Sequence, residues 1–300
     1  TSLKDAEIFP VSAITGDGIE MLKLALDIAA DDVERRSQQG CFRLAIDRSF
    51  NVKGSGIVVT GSVFSGTTEV AETLYLMPQM QRIRVRSLHT QNEPQQRAVA
   101  GDRCAINIAS NDIELPDIRR GDWLTANPAQ ATDRVDISIQ ILSRVQKPFI
   151  HWTPVHVHAA ANHVTGRVAL LSSDPDQKTR QLKLQAGETG YAQLVLDKPI
   201  NVHIGDRLVI RDQASMQTLG GGVVLDPYSP KRGRAKPERL ALLAAVDPSS
   251  PAKTLGALLS NLDFGLSLLG FTERFNLTST ECHELCMRLD AINVSEDILI

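Results

Sequence analysis

Three groups of side chains have the types and spacing for chemistry of their own. His156 and His158 alternate in Val155–Ala160, so on a strand they share one face, with His151 and His163 close by in sequence; clustered imidazoles can ligate zinc. No cysteine or carboxylate stands beside them at metal-ligand spacing, so the histidines read as structural or RNA-facing and no metal is expected. Cys282, His283 and Cys286 form C-H-x-x-C, but on a helix only the two cysteines share a face, and buried free thiols are common core residues. The run Pro230 to Pro237, PKRGRAKP, carries Lys231, Arg232, Arg234 and Lys236 without an acid. Its flanking prolines favour an extended segment, which serves either as a solvated linker or as a strip whose charges reach phosphates.

Phosphate-loop chemistry is missing. Gly220-Gly221-Gly222 is followed by Val223 and Val224 rather than by a lysine, so close backbone packing or a bulge explains the glycines better. Neither G-x-x-x-x-G-K-[ST] nor N-K-x-D occurs anywhere. The chain therefore has no cradle for the β- and γ-phosphates of a nucleotide, and we assign it no catalytic residue and no enzymatic activity of its own.

The elements that must position these groups follow from periodicity. Strand-like runs at Leu44–Ile46, Ile57–Val63, Arg82–Leu88 and Cys104–Ile108 alternate with glycine-bearing turns, as in a small antiparallel barrel. A second set, Val135–Leu142, Val155–Ala159, Val168–Leu171, Ala192–Leu196, Arg207–Ile210 and Gly222–Leu225, predicts a second barrel. Ahead of both, Ile8 to Val11 reads as a strand, residues 12–18 as a turn and Ile19 to Arg35 as a helix with Leu22, Leu26 and Ala29 on one side. This βα unit is too small to bury its own apolar face, so we assign it to a larger α/β domain. Beyond Pro237, ERLALLAAV, AKTLGALLSNL and STECHELCMRL predict three helices, and AINVSEDILI a terminal strand; together they suggest a winged helix. The fold expected is mainly β with α. Residues 1–37 form the end of an α/β domain, 41–129 and 133–228 two consecutive antiparallel barrels, 229–237 a basic linker and 238–300 a winged helix.

Composition bounds the functional classes. Three hundred residues at 42% hydrophobic suit two or three domains, and a net charge of −3 excludes a uniformly basic nucleic-acid coat. Four cysteines in neither a disulfide framework nor a C-x-x-C pair point to a reducing cytosol. No secretion signal or membrane-length apolar run is visible, so a cytoplasmic location without membrane partners is expected, where the sequon at Asn276 is without meaning. From Leu240 to Ile300 eight acids face three bases, a balance of −5. That suits a spacer or partner surface better than an RNA grip.

FRLAIDRSFNVKGSGIVVTGSVFSG at 42–66, with its G-x-G-x-V-V-T-G spacing, Ala100-Gly101-Asp102-Arg103 and IRRGDWL at 118–124 together resemble the second domain of translational GTPases of the elongation factor Tu type. Within that superfamily, Ile46-Asp47-Arg48 and Ala100 to Arg103 resemble the bacterial selenocysteine-specific elongation factors. RDQASMQTLGGGVVLDP at 211–227 resembles the closing strand of their third domain, a β-barrel, and Ser12-Ala13-Ile14-Thr15-Gly16-Asp17-Gly18 their last nucleotide motif. The resemblance implies that this is a piece of a longer factor, that GTP and Mg²⁺ belong to the parent, and that Ser12 and Ala13 are a remnant of its guanine site. It further implies GTP-gated delivery of selenocysteyl-tRNA to a ribosome paused at UGA. The mRNA hairpin would be recognised by winged helices further along the parent.

By the same resemblance Asp47, Arg48 and Arg103 line the aminoacyl pocket. A selenol is largely ionised at neutral pH and the seryl hydroxyl is not, so guanidinium groups offer the discriminating handle; Arg48 and Arg103 are assigned to the selenolate, Asp47 to orienting them or receiving the α-amino group. Without the resemblance the three residues read as an exposed strand pair and a barrel-rim cation. Two other functions stay open: a generic tRNA-delivery or initiation factor, and a non-GTPase module that holds a protein partner.

Overall fold

The computed structural model describes residues 6–32, 38–110, 112–172, 182–260, 265–289, 293–295 and 298–299, in two units, Thr1–Ser37 and Gln38–Ile300. In the first unit a turn at residues 12–17 leads into helix α1 (Ile19–Asp32). The strand expected at Ile8–Val11 is irregular chain instead, because a strand exists only by pairing and none of the described residues of this unit offers it a ladder. Residues 33–35, the end of the expected helix, lie outside the described residues. Met21, Leu24, Leu26 and Ile28 of α1 are each more than half exposed, as a helix without a sheet requires.

Nine strands build the first barrel region: β1 (Arg43–Val52), β2 (Gly56–Ser65), β3 (Thr67–Glu69), β4 (Thr73–Met77), β5 (Gln81–Thr90), β6 (Glu93–Gln95), β7 (Arg97–Val99), β8 (Arg103–Ala109) and β9 (Trp123–Thr125). Six of them close a ring in the order β4-β9-β1-β2-β8-β5, β5 returning to β4, with β6 appended to β5 and β3 paired to β7. The four runs read from alternation are β1, β2, β5 and β8. The short β4 and β9 carry too few residues to show a period. Leu44, Ile46, Val59, Leu74, Leu76, Val85, Ile106 and Leu124 are all at most 1% exposed and fill the interior, the inward half of each alternating strand.

The second barrel uses β10 (Thr132–Ile141), β11 (Phe149–Ile150), β12 (Thr153–Ala159), β13 (Asn162–Leu171), β14 (Lys183–Leu184), β15 (Thr189–Ile200), β16 (Arg207–Asp212) and β17 (Thr218–Asp226). It closes in the order β10-β15-β13-β12-β16-β17, with β17 returning to β10. All six ring strands match the predicted runs. A Cβ on Gly220 would stand 2.2 Å from the Gln140 carbonyl oxygen and one on Gly222 2.6 Å from that of Ser138, so close backbone approach accounts for the triple glycine.

The segment 230–236 is not extended. Gly233 has φ +73°, and the Lys236 amide donates to the Gly233 carbonyl at 3.1 Å, a turn that glycine's freedom permits despite the prolines. Among the described residues four helices follow rather than three: α2 (Pro237–Ala245), α3 (Pro251–Leu259), α4 (Leu268–Phe275) and α5 (Ser279–Arg288). The unexpected α4 contains Gly270, which weakens its local helix signal; the Ser267 hydroxyl caps it by accepting from the Gly270 amide, and Phe271 anchors it in a small core with Leu255. The terminal segment holds two short strands in place of one, β19 (Asn293–Ser295) and β20 (Ile298–Leu299), which make a three-stranded antiparallel sheet with β18 (Leu266–Ser267).

Candidate functional site

The outer face of the first barrel brings together two of the predicted residues that lie far apart in sequence. Between Ile46 and Arg48 the pairing of β1 with β2 slips by one, leaving Asp47 without an opposite residue. Such a bulge re-aims side chains that simple alternation would bury. Here Asp47 reaches across the barrel surface to Arg103 at the start of β8, and both guanidinium Nη atoms donate to its carboxylate, the Nη2–Oδ1 contact at 3.3 Å. On β2, the strand between β1 and β8, the Thr60 hydroxyl donates to the same Asp47 Oδ1 at 2.8 Å. Arg48 is exposed and lies opposite Thr60. Gly61 makes the approach possible, because a Cβ there would sit 2.1 Å from the Ala45 carbonyl oxygen.

Partial burial works to raise the Asp47 carboxyl, but hydrogen bonds from Arg103 and Thr60 and the charges of Arg103 and Arg48 outweigh it and hold the group below its ordinary value. The Arg103 guanidinium is raised by its hydrogen bond to Asp47 and remains more than half exposed. The arrangement is thus a fixed cation beside a fixed anion on an open surface, with Arg48 as a second cation. It can receive a small zwitterion or an anion.

The remaining candidates divide. In the turn of the first unit, Ser12 Oγ accepts from the Thr15 amide at 3.2 Å and its backbone amide donates to Asp17, while Ala13 is exposed. Lys231, Arg232 and Lys236 are exposed. Arg234 instead lies over the Trp152 ring, 5.6 Å from its centroid, and burial followed by the Arg134 charge lowers its guanidinium from the ordinary value. His156 Nδ1 and His163 Nε2 are hydrogen-bonded at 2.7 Å, and His158 stacks on His163. That hydrogen bond occupies a nitrogen on each of two rings, and no group of three or more metal-ligating side chains forms among the described residues. His151 donates separately to the Leu170 carbonyl.

Sequence reasoning missed the polar groups that fasten the barrels to each other and to the helices. Arg43, 4% exposed, forms a two-point ion pair with Asp206 at 2.7 and 3.1 Å and lies 4.4 Å from the Trp123 ring centroid. The Asp206 carboxylate also accepts from the His203 amide, and His203 donates through Nδ1 to the Glu273 carbonyl of α4 at 2.8 Å. Asp136, fully buried in β10, is gripped by Arg239 of α2, which also reaches Asp226 at 2.7 Å. Asn276 donates to the Cys41 carbonyl and to Ser65, and Glu281 accepts from the Gly40 amide. A charged residue inside the apolar run FRLAI was the one visible signal, because burial of an arginine demands a partner.

Comparison with known proteins follows the same geography. Residues 56–125 match the model of elongation factor Tu domain 2, and residues 132–231 match the beta-barrel domain of the selenocysteine-specific elongation factor. The chain is 41% identical to the selenocysteine-specific elongation factor of Escherichia coli and 38% to that of Haemophilus influenzae, in each case over 81% of this chain and 36% of the relative. It therefore spans about a third of the length of the curated relatives it matches. Among solved structures, translation elongation factor SelB from Methanococcus maripaludis superimposes with a TM-score of 0.66 at 24% identity, covering 77% of this chain and 53% of that one. A bacterial selenocysteine-specific elongation factor superimposes with a TM-score of 0.63 at 19% identity, covering 98% and 55%; both show a shared fold. Along its two barrels, by both family matches and by this degree of identity, the chain is similar to a stretch of the selenocysteine-specific elongation factors.

Proposed function

We propose that this chain supplies the aminoacyl pocket and the tRNA-facing scaffold of a factor that delivers selenocysteyl-tRNA to ribosomes paused at UGA. The parent uses GTP and Mg²⁺ through parts outside this sequence, and winged helices further along read the mRNA hairpin. The observation that carries the reading is the Asp47–Arg103 pair on the outer face of the elongation factor Tu domain 2 barrel, with Arg48 beside it.

Charge supplies the selectivity. A selenolate and a hydroxyl are nearly alike in shape, so size alone discriminates poorly. Each charge-assisted hydrogen bond contributes about 1.5–3 kcal/mol, and two arginines give on the order of 10²–10⁴ in preference for the anion. Asp47 holds Arg103 in place and offers a carboxylate to the α-ammonium of the ester. Lys231, Arg232 and Lys236 are free to meet tRNA phosphates electrostatically, whereas Arg234 is the weakest of the four candidates because it packs on Trp152. Ser12 and Ala13 belong to the guanine site of the parent.

The test follows protection of the aminoacyl ester from hydrolysis in the full-length factor with GTP. Strong protection of selenocysteyl-tRNA over seryl-tRNA, abolished in Arg103→Ala, is the expected result. Equal protection of the two esters would instead assign the barrel to a factor with an uncharged cargo.

A further inference from the structure

The outer face of β5 carries a row of cations that the proposed pocket does not use. Ile83 and Val85 point into the core while Arg82, Arg84 and Arg86 are exposed, so their side chains emerge on one face about 6.8 Å apart. The pairing with β8 shifts between Val85 and Ser87, after which Leu88 is buried and His89 continues the exposed row. Among the described residues none of the three arginines is ion-paired, although Asp112 lines the same shallow hollow as Arg82 and Arg84. Arg86 makes one long contact, 3.5 Å, to the Ser55 carbonyl.

Strand register joins this row to the pocket. His89 lies opposite Ala105 on β8, Ala105 opposite Thr60 on β2, and Thr60 opposite Arg48 on β1. One line across four strands therefore runs from the end of the arginine row to the Asp47–Arg103 site, all on the outer surface. Three unpaired cations in a chain of net charge −3 are a local concentration. All three are arginines, whose planar fork suits phosphate oxygens.

We propose that the Arg82–Arg84–Arg86 row is a track for the sugar-phosphate backbone of the tRNA whose aminoacyl end enters the Asp47–Arg103 site. This rests on the proposed function for the identity of the RNA. Phosphate contacts position without reading sequence, so the track adds affinity and orientation while the pocket selects the amino acid.

The experiment is a titration of the 300-residue chain with fluorescently labelled seryl-tRNA from about 50 to 200 mM potassium chloride. Each phosphate contact contributes about 0.7–0.9 to the slope of log affinity against log salt. The triple substitution Arg82→Gln, Arg84→Gln, Arg86→Gln should thus flatten the slope by about 2–3, so that over this range the wild type loses about 20- to 40-fold more affinity than the variant. Arg84→Gln alone should flatten it by about one, and Lys198→Gln, an exposed cation of the second barrel, should leave it unchanged. A triple variant that melts like the wild type but keeps the wild-type slope would overturn the proposal, as would undetectable wild-type binding at about 50 mM salt. Loss of ribosome co-sedimentation in a variant with an unchanged tRNA slope would assign the row to ribosomal RNA instead. The slope needs neither selenium nor GTP, so its failure is distinct from failure of the ester-protection test.

Discussion

Arg43 of the first barrel and Asp206 of the second, 163 residues apart, meet in a two-point ion pair with both side chains largely withdrawn from water. The pair sits where the two barrels and α4 converge, because Asp206 also holds the His203 amide and His203 holds the Glu273 carbonyl. The relative placement of the barrels thus rests on a few groups that are costly to leave unpaired.

Removing one partner exposes that cost. Arg43→Met should destabilise the barrel unit by about 3–5 kcal/mol, because it strands a buried carboxylate. Adding Asp206→Leu should recover much of the loss, as replacement of both charges by apolar groups often does. Urea unfolding followed by tryptophan fluorescence reads both; a double variant no better than the single one would show that the pair contributes more than mutual neutralisation.

The same junction should make the protein sensitive to acid. Burial, reinforced by the Arg43 charge, pushes His203 down to about 3, while in the unfolded chain it titrates near its ordinary 6.5. As pH falls below about 6.5 the unfolded state therefore takes up a proton that the folded state refuses, and stability declines by up to about 1.4 kcal/mol per pH unit until about pH 3. Asp206 adds to the decline below its ordinary 3.8: although burial alone would raise its carboxyl, Arg43 holds it lower, so the folded state keeps the charge that the unfolded state loses. His203→Asn keeps a donor toward Glu273 and should flatten urea midpoints between about pH 6.5 and 4.5. Unaltered acid sensitivity would place its source elsewhere.

Gly61 should tolerate no side chain. Gly61→Ala drives a methyl to 2.1 Å from the Ala45 carbonyl oxygen, a backbone atom with little freedom to move, so β1 and β2 must part beside the Asp47 bulge. A loss exceeding about 2 kcal/mol is expected. Gly54→Ala, at φ +84° with nothing within 4 Å, should cost only about 1 kcal/mol from its backbone conformation. Thermal melts of the two variants give the comparison.

Thr60 is predicted to tune the proposed pocket through Asp47. Thr60→Val removes the hydrogen bond that helps hold the Asp47 carboxyl low, so this carboxyl should titrate at higher pH, and Thr60→Ser should restore it. Arg103→Gln should raise it further, since the Arg103 hydrogen bond is the larger contribution. Carbon-detected NMR titration of Asp47 separates these cases, and an unmoved Asp47 in Thr60→Val would remove Thr60 from the site.

Much of the architecture was legible in local pattern. Val135 to Leu142 and Val155 to Ala159 alternate because one face of each strand must be buried, and the continuous apolar run Val168 to Leu171 is buried throughout, so the requirement is written residue by residue. Gly220 to Gly222 announced close packing for the same local reason. β4 and β9 were illegible because a short strand shows no period, and α4 because Gly270 hides its propensity. The expected strand at Ile8–Val11 failed for want of a partner.

What the sequence by itself determined was the pair of barrels and their family, since apolar alternation, turn glycines and motif spacing are properties of neighbouring residues. Only the tertiary structure decided that Asp47 meets Arg103, that Thr60 lies opposite Arg48 and bonds Asp47, and that Arg43 pairs with Asp206. Those contacts depend on strand register and on one bulge, and a register shift of a single residue would send each side chain to the opposite face.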